Sequence, residues 1–198
     1  MAPARTYLDH NATSPIRPDV LSAVMEALSR VGNPSSVHAE GRQARALVER
    51  ARAQVAGLVR ARPEDVIFTS GGTEANTTVL RPGALKTATG RPVTHLLASA
   101  VEHASVLGGH GFPAETFDTI PVDAAGRLDL EGFSRALDEA GNGVVLVSVQ
   151  LANSETGILQ PVTGAAEMVR SADARSTRMP SRQPGGCRST WARSGSTP

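Results

Sequence analysis

One segment in the first half of the chain combines residue types that can bind an anion. Within residues 66–76, an apolar run predicts a short strand over residues 66–69, Gly71 and Gly72 end it, and a helix opens at Thr73. Free backbone N–H groups and the positive end of the helix dipole would then face an anion such as a phosphate, which glycines allow to approach closely. The same residues also fit a plain strand–turn–helix connection in which Thr73 is the N-cap.

Two further polar groups follow predicted strands. His103 comes shortly after the predicted strand 95–100, and Asn153 and Ser154 follow the predicted strand 143–149. Ligands of open α/β sheets bind at the carboxyl ends of strands, so His103 could stack on a planar ligand or move protons there. Alone, His103 also fits a solvated loop histidine, and Asn153–Ser154 fits turn chemistry. Three such clusters after three strands are more specific than any one of them.

Strands that alternate with helices predict an α/β protein with a mostly parallel sheet and flanking helices. The predicted helices cover residues 20–31, 41–60, a helix opening at 73, one near 102–107, 128–140 and 161–170, and the predicted strands cover 66–69, 95–100, 115–121 and 143–149. We interpret residues 1–170 as a partial domain. Residues 171–198 contain no Leu, Ile, Val or Phe and five arginines against one aspartate, which predicts a non-native or disordered basic tail.

Composition excludes several classes of function. The net charge is +1, so the whole chain carries no electrostatic field that would favour nucleic acid. No apolar run is long enough to span a bilayer, and residues 1–7 lack the apolar core of a signal peptide, so we expect a cytoplasmic protein without membrane partners. No histidine pair has helical metal-ligand spacing, so no metal site is predicted.

Five motifs in this order resemble one enzyme family. They are residues 7–15, 32–38, 68–76, 101–103 and 152–157 with 160–161. Over roughly residues 6–170 the chain resembles the cysteine desulfurases, NifS/IscS-like enzymes of the class V aminotransferase superfamily. The resemblance implies the large domain of a type I pyridoxal 5'-phosphate (PLP)-dependent transferase and a cytoplasmic homodimer. It also implies a reaction in which sulfur from L-cysteine becomes an enzyme persulfide, leaving L-alanine, for iron–sulfur scaffold or other sulfur-acceptor proteins in iron–sulfur cluster assembly.

The resemblance also assigns roles to residues of this chain. It implies that Gly72 and Thr73 bind the PLP phosphate, and that His103 is catalytic, stacking on the pyridine ring and assisting proton transfer. Many members carry a second asparagine, where this chain has Ser154, and use it to contact the phenolic oxygen of the cofactor. Either Asn153 substitutes for it, or the contact is weaker.

Other family elements have no counterpart in these 198 residues. The resemblance implies an aspartate that pairs with the pyridinium nitrogen, a Schiff-base lysine and an acceptor cysteine. Lys86, the single lysine, lies in a loop rich in Pro, Gly and Thr, and Cys187 lies in the tail. We therefore expect a truncated, inactive chain. The alternatives are another class V enzyme, such as a selenocysteine lyase or an aminotransferase, and a non-catalytic fragment that binds an intact subunit.

We predict that the tail is the product of a frameshift. Codons exist for residues 177–184 that, read two bases later, encode Thr-Asp-Ala-Val-Gln-Ala-Ala, which matches the Asp-Ala-x-Gln segment that the family carries. Methionine and tryptophan each have only one codon, and the codons of Met179 and Trp191 are both compatible with the shifted reading. Sequencing the gene tests this, because codons that do not encode this peptide in the shifted register would contradict it.

Overall fold

The chain forms two compact units in a computed structural model that describes residues 6–10, 12–87, 90–141 and 143–178. One unit runs up to Phe68 and the other begins at Thr69. No helix among the described residues is long and apolar enough to cross a membrane.

The unit up to Phe68 is helical. Helix α1 spans Pro18–Leu28 and helix α2 spans Ala39–Val59, and a 3-10 turn follows at Pro63–Asp65. Proline occupies the first position of α1, where its missing N–H removes no helical hydrogen bond. The His38 ring caps α2 by accepting a hydrogen bond from the Gly41 N–H. Both predicted helices are thereby confirmed, each beginning two residues before its predicted start.

The predicted strand over residues 66–69 is wrong. No strand within the described residues pairs with this segment, and the side chains of Ile67 and Phe68 are 80% and 48% exposed. The Arg52 guanidinium, which lies 5.2 Å from the centre of the Phe68 ring, donates instead to the Val66 carbonyl. An apolar β-prone run becomes a strand only where a neighbouring strand takes up its backbone groups.

The unit from Thr69 contains a parallel sheet. Its strands are β1 (His95–Ser99), β2 (Phe117–Ile120) and β3 (Val145–Ser148), in the order β2-β1-β3. Leu96 of β1 faces Phe117 of β2 and Leu146 of β3 in the two ladders. The three predicted strands 95–100, 115–121 and 143–149 are therefore confirmed.

Four helices accompany the sheet. They are α3 (Gly72–Val79), α4 (Ala104–Leu107), α5 (Leu130–Glu139) and α6 (Val162–Arg178). Helix α4 lies in the connection from β1 to β2, and α5 in the connection from β2 to β3, because the chain must cross back over the sheet between strands that run in the same direction. Helix α6 continues eight residues past the predicted domain boundary at residue 170, and residues 179–198 of the predicted tail lie outside the described residues.

Side chains of the sheet alternate between two apolar cores. Leu96 and Ala98 of β1 pack into one core, and Leu97 between them packs into the other, because successive residues of a strand point to opposite faces. The first core includes Leu80, which follows α3, and Val106 of α4. The second core takes side chains from α5 and α6; its buried members are Leu97, Ile120, Leu128, Phe133, Leu137, Val145, Ala165 and Val169. Helices therefore cover both faces of the sheet.

We predict that Phe133→Ala destabilises the second unit by about 3–5 kcal/mol. The Phe133 side chain is fully buried between α5 and the sheet, so its removal leaves a cavity. Chemical denaturation should show the loss, and Leu151→Ala, at a side chain that is 64% exposed, is the control. Equal free energies of unfolding for the two variants would contradict the packing described above.

Candidate functional site

The turn that precedes α3, residues 70–74, is fixed by a glutamate within its own helix. Gly71 is the N-cap residue with an extended backbone, and Gly72 is the first helical residue. The Glu74 carboxylate accepts hydrogen bonds from both the backbone N–H and the hydroxyl of Ser70, each at 2.6 Å. These bonds hold the pKa of Glu74 below its ordinary value. We call residues 70–74 the glycine turn.

The glycine turn presents unused hydrogen-bond donors. Among the described residues, no hydrogen bond engages the N–H groups of Gly72 and Thr73, and both residues are exposed. A Cβ added at Gly71 or Gly72 would meet no atom within 4 Å, so the approach to these donors is open. Free N–H groups at the positive end of a helix dipole suit a phosphate group. The residues present therefore fit the phosphate end of PLP.

Helix α3 is joined to His103 through a buried serine. His103 is the N-cap of α4, and its Nδ1 accepts a hydrogen bond from the Ser105 N–H at 3.0 Å. The Ser105 hydroxyl lies 2.8 Å from the same nitrogen and accepts a hydrogen bond from the Asn76 side-chain amide at 2.9 Å. Ser105 is 8% exposed, whereas His103 is exposed. The helix that begins at the glycine turn thus helps to position the imidazole.

The loops after β1 and β3 are also joined. The Val101 carbonyl accepts hydrogen bonds from the side-chain amides of Gln150 and Asn153, the latter at 3.2 Å. The backbone N–H of Gln150 donates in turn to the Glu102 carboxylate. Because β1 and β3 are neighbouring parallel strands, these bonds tie their carboxyl ends together beside His103.

The Asn153 side chain is largely occupied within its own loop. Its Oδ1 accepts from the N–H groups of Glu155 and Thr156 at 2.8 and 2.9 Å, and its Nδ2 donates to Val101. One amide hydrogen of Asn153 remains for a ligand. Ser154 beside it is exposed. The assignment of Asn153 and Ser154 to cofactor binding stays a prediction.

Lys86 lies away from these groups. It is exposed and forms an isolated bridge with Pro92, in a segment that leads into the amino end of β1. His103 follows the carboxyl end of the same strand, and a strand of five residues is about 16 Å long. Cys187 and Asn11 lie outside the described residues. Within the described part of the chain, no group of three or more His, Cys, Asp or Glu side chains could hold a metal ion.

Sequence reasoning missed four residues that organise this site. Asn76 and Ser105 support His103, and Glu102 and Gln150 join the loops after β1 and β3. The signal that could have identified three of them is their position, because Glu102 and Gln150 lie within two residues of a predicted strand end and Asn76 lies within the helix that the glycine turn opens. Ser105 lies in the predicted helix near 102–107, two residues after His103.

The family model, the curated relatives and the solved structures that match this chain agree on one family. The aminotransferase class-V family matches residues 6–177. A cysteine desulfurase from Cereibacter sphaeroides is 42% identical over 86% of this chain and 44% of its own length. A selenocysteine lyase from Xenopus tropicalis is 37% identical over 85% of this chain and 42% of its own. A solved NifS-like protein from Rickettsia africae superposes with a TM-score of 0.71 at 31% identity, over 84% of this chain and 45% of that chain.

These relatives confirm the predicted fold class. The parallel sheet with flanking helices is that of NifS-like enzymes of the type I PLP fold. The chain spans less than half the length of the relatives it matches.

We predict that Glu102 makes stability fall as pH rises. Burial raises the pKa of the Glu102 carboxyl, and the Gln150 N–H, which favours the charged form, offsets this only in part. As pH rises above the ordinary glutamate value of 4.5, the unfolded chain releases this proton before the folded chain does. Folding stability is therefore lost from that pH up through the raised pKa.

Glu102→Gln keeps an oxygen acceptor for Gln150 and removes the charge. Melting temperatures measured between about pH 4 and pH 7 should show the wild-type chain losing stability relative to this variant. Glu115→Gln is the control, because it removes a carboxylate that is exposed. The prediction is wrong if the difference between the wild-type chain and Glu102→Gln does not change with pH.

Proposed function

Because the chain belongs to the aminotransferase class-V family, we propose that the unit from Thr69 supplies the phosphate-binding side of the PLP site of a cysteine desulfurase. The observation that supports this most directly is the glycine turn, with unused N–H groups at Gly72 and Thr73, joined through Asn76 and Ser105 to His103. The relatives named cysteine desulfurase supply the reaction class.

Each predicted site residue takes a role in this proposal. Gly72 and Thr73 bind the phosphate through backbone N–H groups and the Thr73 hydroxyl. The His103 imidazole lies against the cofactor ring, and Asn153 and Ser154 contact its edge. When bound, PLP supplies the electron sink that allows sulfur to leave L-cysteine, with L-alanine as the other product.

The roles of covalent attachment and sulfur transfer fall outside the described site. Lys86 lies toward the opposite end of β1, and the single cysteine, Cys187, lies outside the described residues. We propose that these 198 residues by themselves bind PLP without a covalent bond and release no sulfur. The resemblance adds finer proposals for the whole enzyme, namely a cytoplasmic homodimer that passes persulfide sulfur to iron–sulfur scaffold proteins or other acceptors.

A second candidate is a selenocysteine lyase, which the Xenopus tropicalis relative favours. If sequencing of the gene confirms the shifted reading, the enzyme that this reading encodes should be assayed with L-cysteine and L-selenocysteine side by side. Release of selenide without sulfide would favour the lyase, and sulfide release would favour the desulfurase. If neither forms, co-purification of the 198-residue chain with an intact homologous subunit would support the non-catalytic fragment.

We predict that Gly72→Pro weakens PLP binding by the 198-residue chain about tenfold or more, the loss expected when one hydrogen bond to a charged group disappears. Proline at the first helical position removes the N–H without breaking the helix, and extended Gly71 before it tolerates proline. Titration calorimetry with PLP and with inorganic phosphate measures the change.

Thr73→Val and Thr78→Val form a matched pair for the same measurement. Thr73 offers its hydroxyl at the glycine turn, whereas the Thr78 hydroxyl donates to the Glu74 carbonyl within the helix. Only Thr73→Val should reduce affinity for PLP and phosphate. Unchanged affinity in both Gly72→Pro and Thr73→Val would contradict the proposed phosphate site.

A further inference from the structure

The imidazole of His103 meets two hydrogen-bond donors at a single nitrogen. The Ser105 backbone N–H lies 3.0 Å from Nδ1, and the Ser105 hydroxyl oxygen lies 2.8 Å from it. A backbone N–H can only donate, so Nδ1 must be the unprotonated, accepting nitrogen. A neutral imidazole carries its one proton on the other nitrogen, Nε2.

Asn76 orients the Ser105 hydroxyl so that this group also donates to Nδ1 of His103. Its Nδ2 donates to the Ser105 oxygen at 2.9 Å, which occupies a lone pair of that oxygen and leaves the hydroxyl hydrogen for Nδ1. Ser105 is 8% exposed, so water has little access to compete for these bonds. The chain of donors therefore runs in one direction, from Asn76 through Ser105 to His103.

The other described histidines lack this arrangement. His110 Nδ1 accepts from the Phe112 N–H alone, at 3.2 Å. His38 Nδ1 accepts from the Gly41 N–H at 3.3 Å, but the second group beside it, the Glu40 carboxylate at 2.9 Å, is an acceptor and not a second donor. No ion pair among the described residues involves His103, so hydrogen bonding rather than a neighbouring charge sets its tautomer.

We propose that Ser105 and Asn76 are positioning residues that hold neutral His103 as the Nε2–H tautomer, so that the exposed ring nitrogen is a hydrogen-bond donor. Such a nitrogen binds an anionic or carbonyl oxygen, or a thiolate, of a bound molecule. It has no lone pair with which to accept a proton. For His103 to act as a base at Nε2, the ring proton would first have to occupy Nδ1 and displace both donors. Only the identity of the bound molecule rests on the proposed function.

Nitrogen-15 NMR of the 198-residue chain labelled at histidine tests the tautomer without any cofactor. At about pH 8.5, where histidine is ordinarily neutral, two-bond proton–nitrogen correlations distinguish a protonated from an unprotonated ring nitrogen. In the wild-type chain, His103 should show an unprotonated Nδ1 and a protonated Nε2. A wild-type His103 with the proton on Nδ1 would overturn the proposal.

Asn76→Asp reverses the polarity of the donor chain. A carboxylate accepts the Ser105 hydroxyl hydrogen, which turns the serine oxygen toward Nδ1 as an acceptor. The ratio of Nδ1–H to Nε2–H tautomer should rise about five-fold, the effect of one hydrogen bond. Ser105→Ala should give a smaller rise because it removes the hydroxyl donor without placing an acceptor at Nδ1, and Ser105→Thr, which keeps the hydroxyl, should give the wild-type ratio. A ratio in Asn76→Asp equal to the wild-type ratio would overturn the proposal.

Two controls separate this effect from a general one. Asn33→Asp makes the same change in the other compact unit, where Asn33 already acts as an acceptor for the Ser35 N–H, so the His103 signals should not change. The His110 signals serve as an internal reference in every spectrum. If Asn76→Asp does not fold, Asn76→Ala removes the donor without adding charge, and the ratio should rise there as well.

Adding PLP to the same sample separates this inference from the proposed function. A change in the Nε2 shift of His103 with PLP supports both. An Nε2–H tautomer that does not respond to PLP contradicts the proposed cofactor site and leaves the tautomer assignment standing. A proton on Nδ1 of His103 together with a response to PLP contradicts the tautomer assignment and leaves the proposed cofactor site standing.

Discussion

The two ladders of β1 are the constraint on which the site depends. This strand pairs with β2 on one side and with β3 on the other, and both pairings are parallel. Parallel pairing brings the carboxyl ends of the strands to one edge of the sheet. Val101 and Asn153 are 52 residues apart in sequence, and they come within hydrogen-bond distance because β1 and β3 run side by side. Burial of Leu96, Leu97 and Ala98 from opposite faces holds this central strand in place.

The polar groups at this edge divide into those that hydrogen-bond within the structure and those that have no partner there. The Val101 carbonyl and the Glu102 carboxylate bind the loop after β3, and the Ser105 hydroxyl binds α3 to α4. A buried donor or acceptor without a partner costs about 1–3 kcal/mol, so these partners are strongly constrained. The groups left over, the N–H groups of Gly72 and Thr73, lie in the exposed glycine turn, where water can solvate them until an anion binds.

Local chemistry is what the sequence could predict. Gly72 and Thr73 could be proposed as an anion site because glycines followed by a helix start are a pattern of a few residues, and His103 could be proposed because it follows a clearly apolar strand. The strand predicted over residues 66–69 failed because strand formation depends on a partner strand elsewhere in the chain. The helix beyond residue 170 was missed because Ala and Arg favour helix without adding an apolar stripe. The contact between Asn76 and Ser105 spans 29 residues, and no local pattern encodes it.

Helix α4 has only four residues, and a helix this short does not form without support at its ends. His103 provides that support, since its ring is the N-cap. The side chain of His103, which is proposed to take part in the reaction, therefore also stabilises the backbone of α4. Replacing it with alanine removes both the imidazole and the helix cap. A cap of this kind contributes about 0.5–2 kcal/mol, so an inactive alanine variant would not distinguish lost chemistry from a frayed turn. Asparagine, which caps helices well and cannot shuttle protons, is the replacement that separates the two.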